Sequence, residues 1–122
     1  MLKKENRLKH KRAFIATYNN NNVVSDNSLI AYAGKEKIDK NCPTRVGFVV
    51  SKKVHKRATK RNRIKRLIRE NIRLMLKNKE IEPLDNYQSL IFMAKQNMLN
   101  KNFEEIRNTI LILMDKIANK NI

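Results

Sequence analysis

The chain has 122 residues, 28 Lys or Arg against 11 Asp or Glu, a net charge of +17 and 41% hydrophobic residues. That length suits a single domain spanning 1–122 and buries a core without disulfides or a metal, while the hydrophobic content excludes global disorder. A lone cysteine, Cys42, excludes an internal disulfide and a cysteine metal site, and no stretch reaches the ~20 apolar residues of a membrane span.

Residues 1–10, MLKKENRLKH, are charged and expected to be loose; with Lys11 and Arg12 following, they lack the apolar run of a signal peptide, so a cytoplasmic protein is expected. Residues 11–18 predict a short helix with Phe14 and Tyr18 one turn apart on one face. The asparagine run 19–22 ends it, since asparagine is a weak helix former and tolerates left-handed turns. Val23 and Val24 suggest a short edge strand, and residues 29–33, LIAYA, a second strand with Ile30 and Tyr32 on one face. A polar connection over 34–44 leads to a third strand within 45–51, RVGFVVS, where Gly47 marks a bulge or a close backbone approach.

Residues 51–73 carry the charge. They hold eleven Lys or Arg and a single acid, Glu70. Cations this dense repel one another, which points to an anionic partner rather than a merely solvated face. Ile64, Leu67, Ile68, Ile72, Met75 and Leu76 follow helical spacing, predicting a helix from about 58 to 77. At about 100° per residue, Arg61, Lys65, Arg66, Arg69 and Arg73 form an arc beside that apolar stripe. Because the stripe is turned to a core, nucleic acid is expected as the partner and a membrane surface is not. Pro83 stops any continuation. Residues 89–94, SLIFMA, predict a strand buried on both faces. Asn102 and Glu105 have the spacing of a capping box ahead of a terminal amphipathic helix through Phe103, Ile106, Ile110, Leu113, Met114 and Ile117.

No chemistry of the chain's own is evident. The acids are scattered, with no close pair as a metal nuclease would need. His10 and His55 sit among Lys and Arg, where cationic neighbours oppose protonation, but RNA contact is the plainer reading for both than base catalysis. Two glycines are too few for a phosphate-binding loop. Phe14, Tyr18 and Tyr32 fit either a packed core or a platform on which unpaired bases stack; paired tyrosine hydroxyls favour partial exposure.

Within 45–70 the chain resembles the protein component of bacterial ribonuclease P. The resemblance rests on Val50-Ser51-Lys52-Lys53 and on Arg61-Asn62-Arg63-Ile64-Lys65-Arg66-Leu67-Ile68-Arg69-Glu70. Asn6-Arg7-Leu8 with Phe14 and Tyr18, Leu29-Ile30-Ala31-Tyr32, and Phe92-Met93-Ala94-Lys95 extend it. It implies an α+β fold of order αβββαβα, a two-layer sandwich with a four-stranded sheet and a left-handed crossover through the basic helix. It also implies a partnership with a catalytic RNA that removes the 5′ leader of precursor tRNA, the RNA holding the required magnesium and the protein no catalytic residue and no cofactor of its own. Lys52, Lys53, Lys56, Arg57, Lys60, Arg61, Asn62, Arg63, Lys65, Arg66 and Arg69 would face the catalytic RNA. Phe14, Tyr18 and Tyr32 would line the leader cleft. Catalytic RNA and precursor tRNA are thus the expected partners, with no membrane and no small-molecule substrate. His55 stands where many members have glycine, Ala13 where an acid is common, and the connection before Arg61 is longer than in many. A basic ribosomal or RNA-assembly protein and an autonomous metal-dependent nuclease are the competing readings.

Overall fold

The computed structural model describes residues 3–39, 41–78 and 86–120. Helix α1 spans Lys11–Asn19, strands β1, β2 and β3 span Asn22–Ser25, Leu29–Ala33 and Arg45–Val49, α2 spans Ala58–Asn78, β4 spans Ser89–Ala94 and α3 spans Phe103–Lys120. The expected order of elements is thus observed, with three strands ahead of the basic helix. Pro83 lies outside the described residues.

The strands form one sheet in the order β1-β2-β4-β3. β1 and β2 pair antiparallel, as do β2 and β4, while β3 and β4 pair parallel across the α2 crossover. Val23, Tyr32, Ile91 and Gly47 stand opposite one another in a row across all four strands. Period-two alternation gives the sheet two different faces. One carries Leu29, Ala31, Ala33, Val46, Leu90, Phe92 and Ala94 into the core. Ile64, Ile68, Ile72 and Met75 of α2, and Ile106, Ile110, Leu113, Met114 and Ile117 of α3, close that core. Buried Asn71 is satisfied within it, donating to the carbonyls of Leu67 and, across to α3, Phe103. The predicted capping box is present: the Glu105 N–H donates to Asn102 Oδ1 at 2.9 Å and the Asn102 N–H to Glu105 Oε1 at 3.2 Å.

The other face carries α1. A Cβ on Gly47 would lie 2.7 Å from the Phe14 ring and 3.2 Å from Leu8, so the glycine is required by close approach and not by a bulge. Thr17 donates to the Ala13 carbonyl, leaving its oxygen to accept from the Ser89 hydroxyl at 2.6 Å. Asn20 donates from its amide to the Ala33 carbonyl, and Asn21 takes φ 58°, so the asparagine run ends α1 as expected.

Residues 1–10 were expected to be loose, and the described part of this segment is instead tied to the sheet. Lys4–Asn6 form a 3-10 turn, Arg7 bridges Val46, the Leu8 N–H donates to the Val46 carbonyl, and the Leu8 side chain is buried. The reason is the open edge of β3, whose backbone groups need partners. Met1 and Leu2 lie outside the described residues.

Candidate RNA interface

The aromatic group assembles from α1 and β2. Tyr18 meets Tyr32 edge to face, with ring centroids 4.7 Å apart and planes at 88°. Phe14 rests on Gly47 of β3. All three rings are half-buried, so they are neither a sealed core nor a free platform. Burial, and secondarily the neighbouring Tyr32, push the Tyr18 hydroxyl above its ordinary pKa of 10.0, keeping it a neutral hydrogen-bonding group. Beyond the rings the sheet face continues into half-exposed Ile30, Met93 and Val49, which stand opposite one another on adjacent strands. The result is a cleft walled by α1 and floored by apolar strand residues. Of the floor, only Ile30 was legible, through its shared face with Tyr32. Met93 and Val49 become floor because β4 is inserted between β2 and β3, which no local pattern announces.

The cations are arranged differently. Lys52, Lys53, Lys56, Arg57, Lys60, Asn62, Arg63 and Arg66 are exposed, while Arg61, Lys65 and Arg69 are half-buried. Arg69 lies over the Phe48 ring, 5.6 Å from its centroid. Arg73 is drawn into a pair with Glu70, its Nη2 2.5 Å from Glu70 Oε1. The hydrogen bond from Arg73 outweighs desolvation and holds the Glu70 carboxyl below its usual range. Arg61 Nη1 donates to the backbone carbonyls of His55 and Lys56, so part of its guanidinium is used inside the protein. His55 Nδ1 accepts from the Arg57 N–H at 3.0 Å, which leaves Nε2 to carry the ring proton in the neutral form. His10 is exposed before α1, with no side-chain cap bond. Among the described residues, neither histidine is joined to a nucleophile or carboxylate by a hydrogen bond that would organise it as a base.

The two sets meet. A pocket of about 300 Å³ is lined by Phe14 and Gly47 of the aromatic side, by Lys65 and Arg69 of α2, and by Arg7 and Lys9 of the N-terminal segment. The Phe14 end of the aromatic side therefore opens directly against the α2 cations Lys65 and Arg69. Among the described residues no group of three or more His, Cys, Asp or Glu could hold a metal ion, and no helix is long and apolar enough to cross a membrane.

The family model for ribonuclease P matches residues 2–118. The ribonuclease P protein component of Clostridium kluyveri is 36% identical over 110 residues, covering 90% of this chain and 92% of its own length. That of a Synechococcus species is 36% identical over 121 residues, covering 95% and 84%. The solved ribonuclease P protein of Staphylococcus aureus superposes with a TM-score of 0.73 at 29% identity, covering 94% of this chain and 96% of its own. That of Thermotoga maritima, at 23% identity and a TM-score of 0.71, shares the fold. Matched over almost its whole length by one family model and by relatives of similar size, the chain belongs to the ribonuclease P protein family, the protein subunits of the ribonucleoprotein enzyme that processes the 5′ ends of tRNA.

Proposed function

We propose that the chain, as a single RNA-binding domain, holds two RNA surfaces against each other. The 52–57 connection and the outward side of α2, through Lys60, Asn62, Arg63, Lys65, Arg66 and Arg69, bind the catalytic RNA by neutralising phosphates. The cleft of Phe14, Tyr18 and Tyr32 takes the single-stranded 5′ leader of precursor tRNA by stacking and apolar contact. The RNA, with its magnesium, performs the hydrolysis, and the enzyme works in the cytoplasm. The observation that carries this reading is the shared pocket: Phe14, at one end of the cleft, lines the same cavity as Lys65 and Arg69. A leader in the cleft would thus lie beside RNA held on α2. Family membership displaces the ribosomal-protein and autonomous-nuclease readings.

The test is reconstitution at low magnesium from purified protein, catalytic RNA and precursor tRNA. Cleavage is expected only with both macromolecules, because the protein supplies charge neutralisation and leader contact but no hydrolytic group. Cleavage by the protein alone, or by the RNA equally well without it, would overturn the proposal.

A further inference from the structure

Between β3 and α2 the chain runs through an irregular connection whose carbonyls are held from several directions. The Val54 N–H donates to the Ser51 carbonyl, and the Val54 side chain is buried in the core. Gln96 Nε2, from the turn after β4, donates to the Lys53 carbonyl at 3.0 Å. Arg61 Nη1 donates to the carbonyls of both His55 and Lys56 at 2.9 Å. The Arg57 N–H is taken up by His55 Nδ1. The exposed side chains of Lys52, Lys53, Lys56 and Arg57 project from this pinned backbone, and none has an acidic partner among the described residues.

We infer that Arg61 is a positioning residue: its guanidinium locks the 52–57 connection so that the lysines and Arg57 meet the catalytic RNA already ordered. The physical case is one of geometry and entropy. Both bonds leave one nitrogen, Nη1, whose two N–H groups are held in the guanidinium plane and diverge toward the two consecutive carbonyls, whereas a lysine ammonium is a freely rotating point charge on a flexible stem and does not fix that geometry. A connection that is loose before binding must be ordered at binding, which subtracts from affinity without changing which phosphates are touched. Gln96 does the same work from the opposite side without charge. His55 supplies, through its ring nitrogen, the acceptor that closes the turn into α2. The sequence pattern alone would assign Arg61 to the RNA together with Arg63; the structure separates them, because Arg63 is exposed and Arg61 is turned onto the backbone.

This proposal rests on the RNA-binding reading above, and its test keeps the two apart. Hydrogen exchange on the free full-length chain judges the lock without RNA: Arg61→Ala should speed exchange at the Arg57 and Val54 amides while amides of β4 and α3 keep their protection. Salt-dependent binding to the catalytic RNA judges its consequence. Arg61→Ala and Gln96→Ala should each weaken affinity, by roughly three- to tenfold if one or two side chains must be newly ordered, with an unchanged salt slope. Arg63→Ala, by contrast, should lower the slope by roughly 0.7–0.9. Arg61→Lys should bind like Arg61→Ala. Unchanged exchange in Arg61→Ala, or a slope that falls with Arg61→Ala and returns with Arg61→Lys, would make Arg61 an ordinary phosphate contact and overturn the inference. If Arg63→Ala and Lys53→Ala both leave binding and slope untouched, the RNA-binding reading fails instead, and the exchange result still decides whether Arg61 holds the connection.

Discussion

Phe14 shows why its role could be narrowed from sequence but not decided. The spacing to Tyr18 put the two rings on one face, but whether that face was covered depends on what lies beneath. Beneath Phe14 is Gly47, and the absence of a Cβ there lets the ring settle onto β3, half-buried and still open to solvent on its other side. Gly47→Ala should therefore act through Phe14. With the ring forced away from 2.7 Å, overpacking should cost roughly 1–3 kcal/mol, read as a lower urea midpoint. In a double-mutant cycle with Phe14→Ala, most of that cost should vanish; additive losses would mean the two positions do not touch. Asp26 gives a second residue-level expectation, in pH. Burial alone would raise its pKa, but N–H groups of Ser28 and Leu29, the Ser28 hydroxyl and the charge of Lys101 outweigh it, so the carboxyl lies below its ordinary 3.8. A depressed folded pKa means the unfolded chain binds the proton first as pH falls. The stabilisation is then complete above about pH 3.8 and lost as pH drops through the lower folded value. Acid unfolding curves should show Asp26→Asn less stable than wild type above the ordinary carboxylate pKa of 3.8 and converging with it as pH falls through the lower folded value; a constant gap would place the effect in packing.

At the scale of elements, the helices and strands were legible because their signals are local. The apolar stripe of α2 named its buried face, and Ile64, Ile68, Ile72 and Met75 are indeed buried. The pairing of strands was not legible, because β4 enters between β2 and β3 from far along the chain and no periodicity encodes its neighbours. The same limit hid the docking of residues 4–8 on the β3 edge, a segment whose charge suggests only solvent. It also hid Arg61, since a helical wheel places its direction but not the carbonyls it meets. The two sides of α2 should respond to substitution in opposite ways. Ile68→Ala, fully buried, should cost about 2–5 kcal/mol of stability. Arg66→Ala, exposed and unpaired with any acid among the described residues, should leave stability within about 0.5 kcal/mol. Its effect should be on RNA binding, as a salt slope reduced by roughly 0.7–0.9. Loss of stability with Arg66→Ala, or its absence with Ile68→Ala, would reverse the assignment of faces.

For the molecule as a whole, the sheet separates two tasks. One face is sealed by α2 and α3 and supplies the stability; the other, only partly covered by α1, leaves a cleft. The cations lie on the rim between them, from the 52–57 connection along α2. Such a division predicts that leader recognition and binding of the catalytic RNA can be weakened independently. Tyr18 is the position to test it. Its ring is half-buried against Tyr32, on the opposite side of the sheet from the α2 core, and it carries no charge to perturb binding of the catalytic RNA. In the reconstituted holoenzyme, Tyr18→Ala should weaken precursor tRNA by about 1–3 kcal/mol, the worth of a lost base stack. Mature tRNA, which has no leader, should bind as before, and assembly of the protein with the catalytic RNA should keep both its affinity and its salt slope. Tyr18→Phe separates stacking from hydrogen bonding, since it keeps the ring and removes a hydroxyl that stays protonated below pH 10. Precursor affinity close to wild type in Tyr18→Phe would assign the contact to the ring face. Equal weakening of precursor and mature tRNA by Tyr18→Ala would instead mean that α1 supports the assembled enzyme as a whole, and that the cleft does not read the leader.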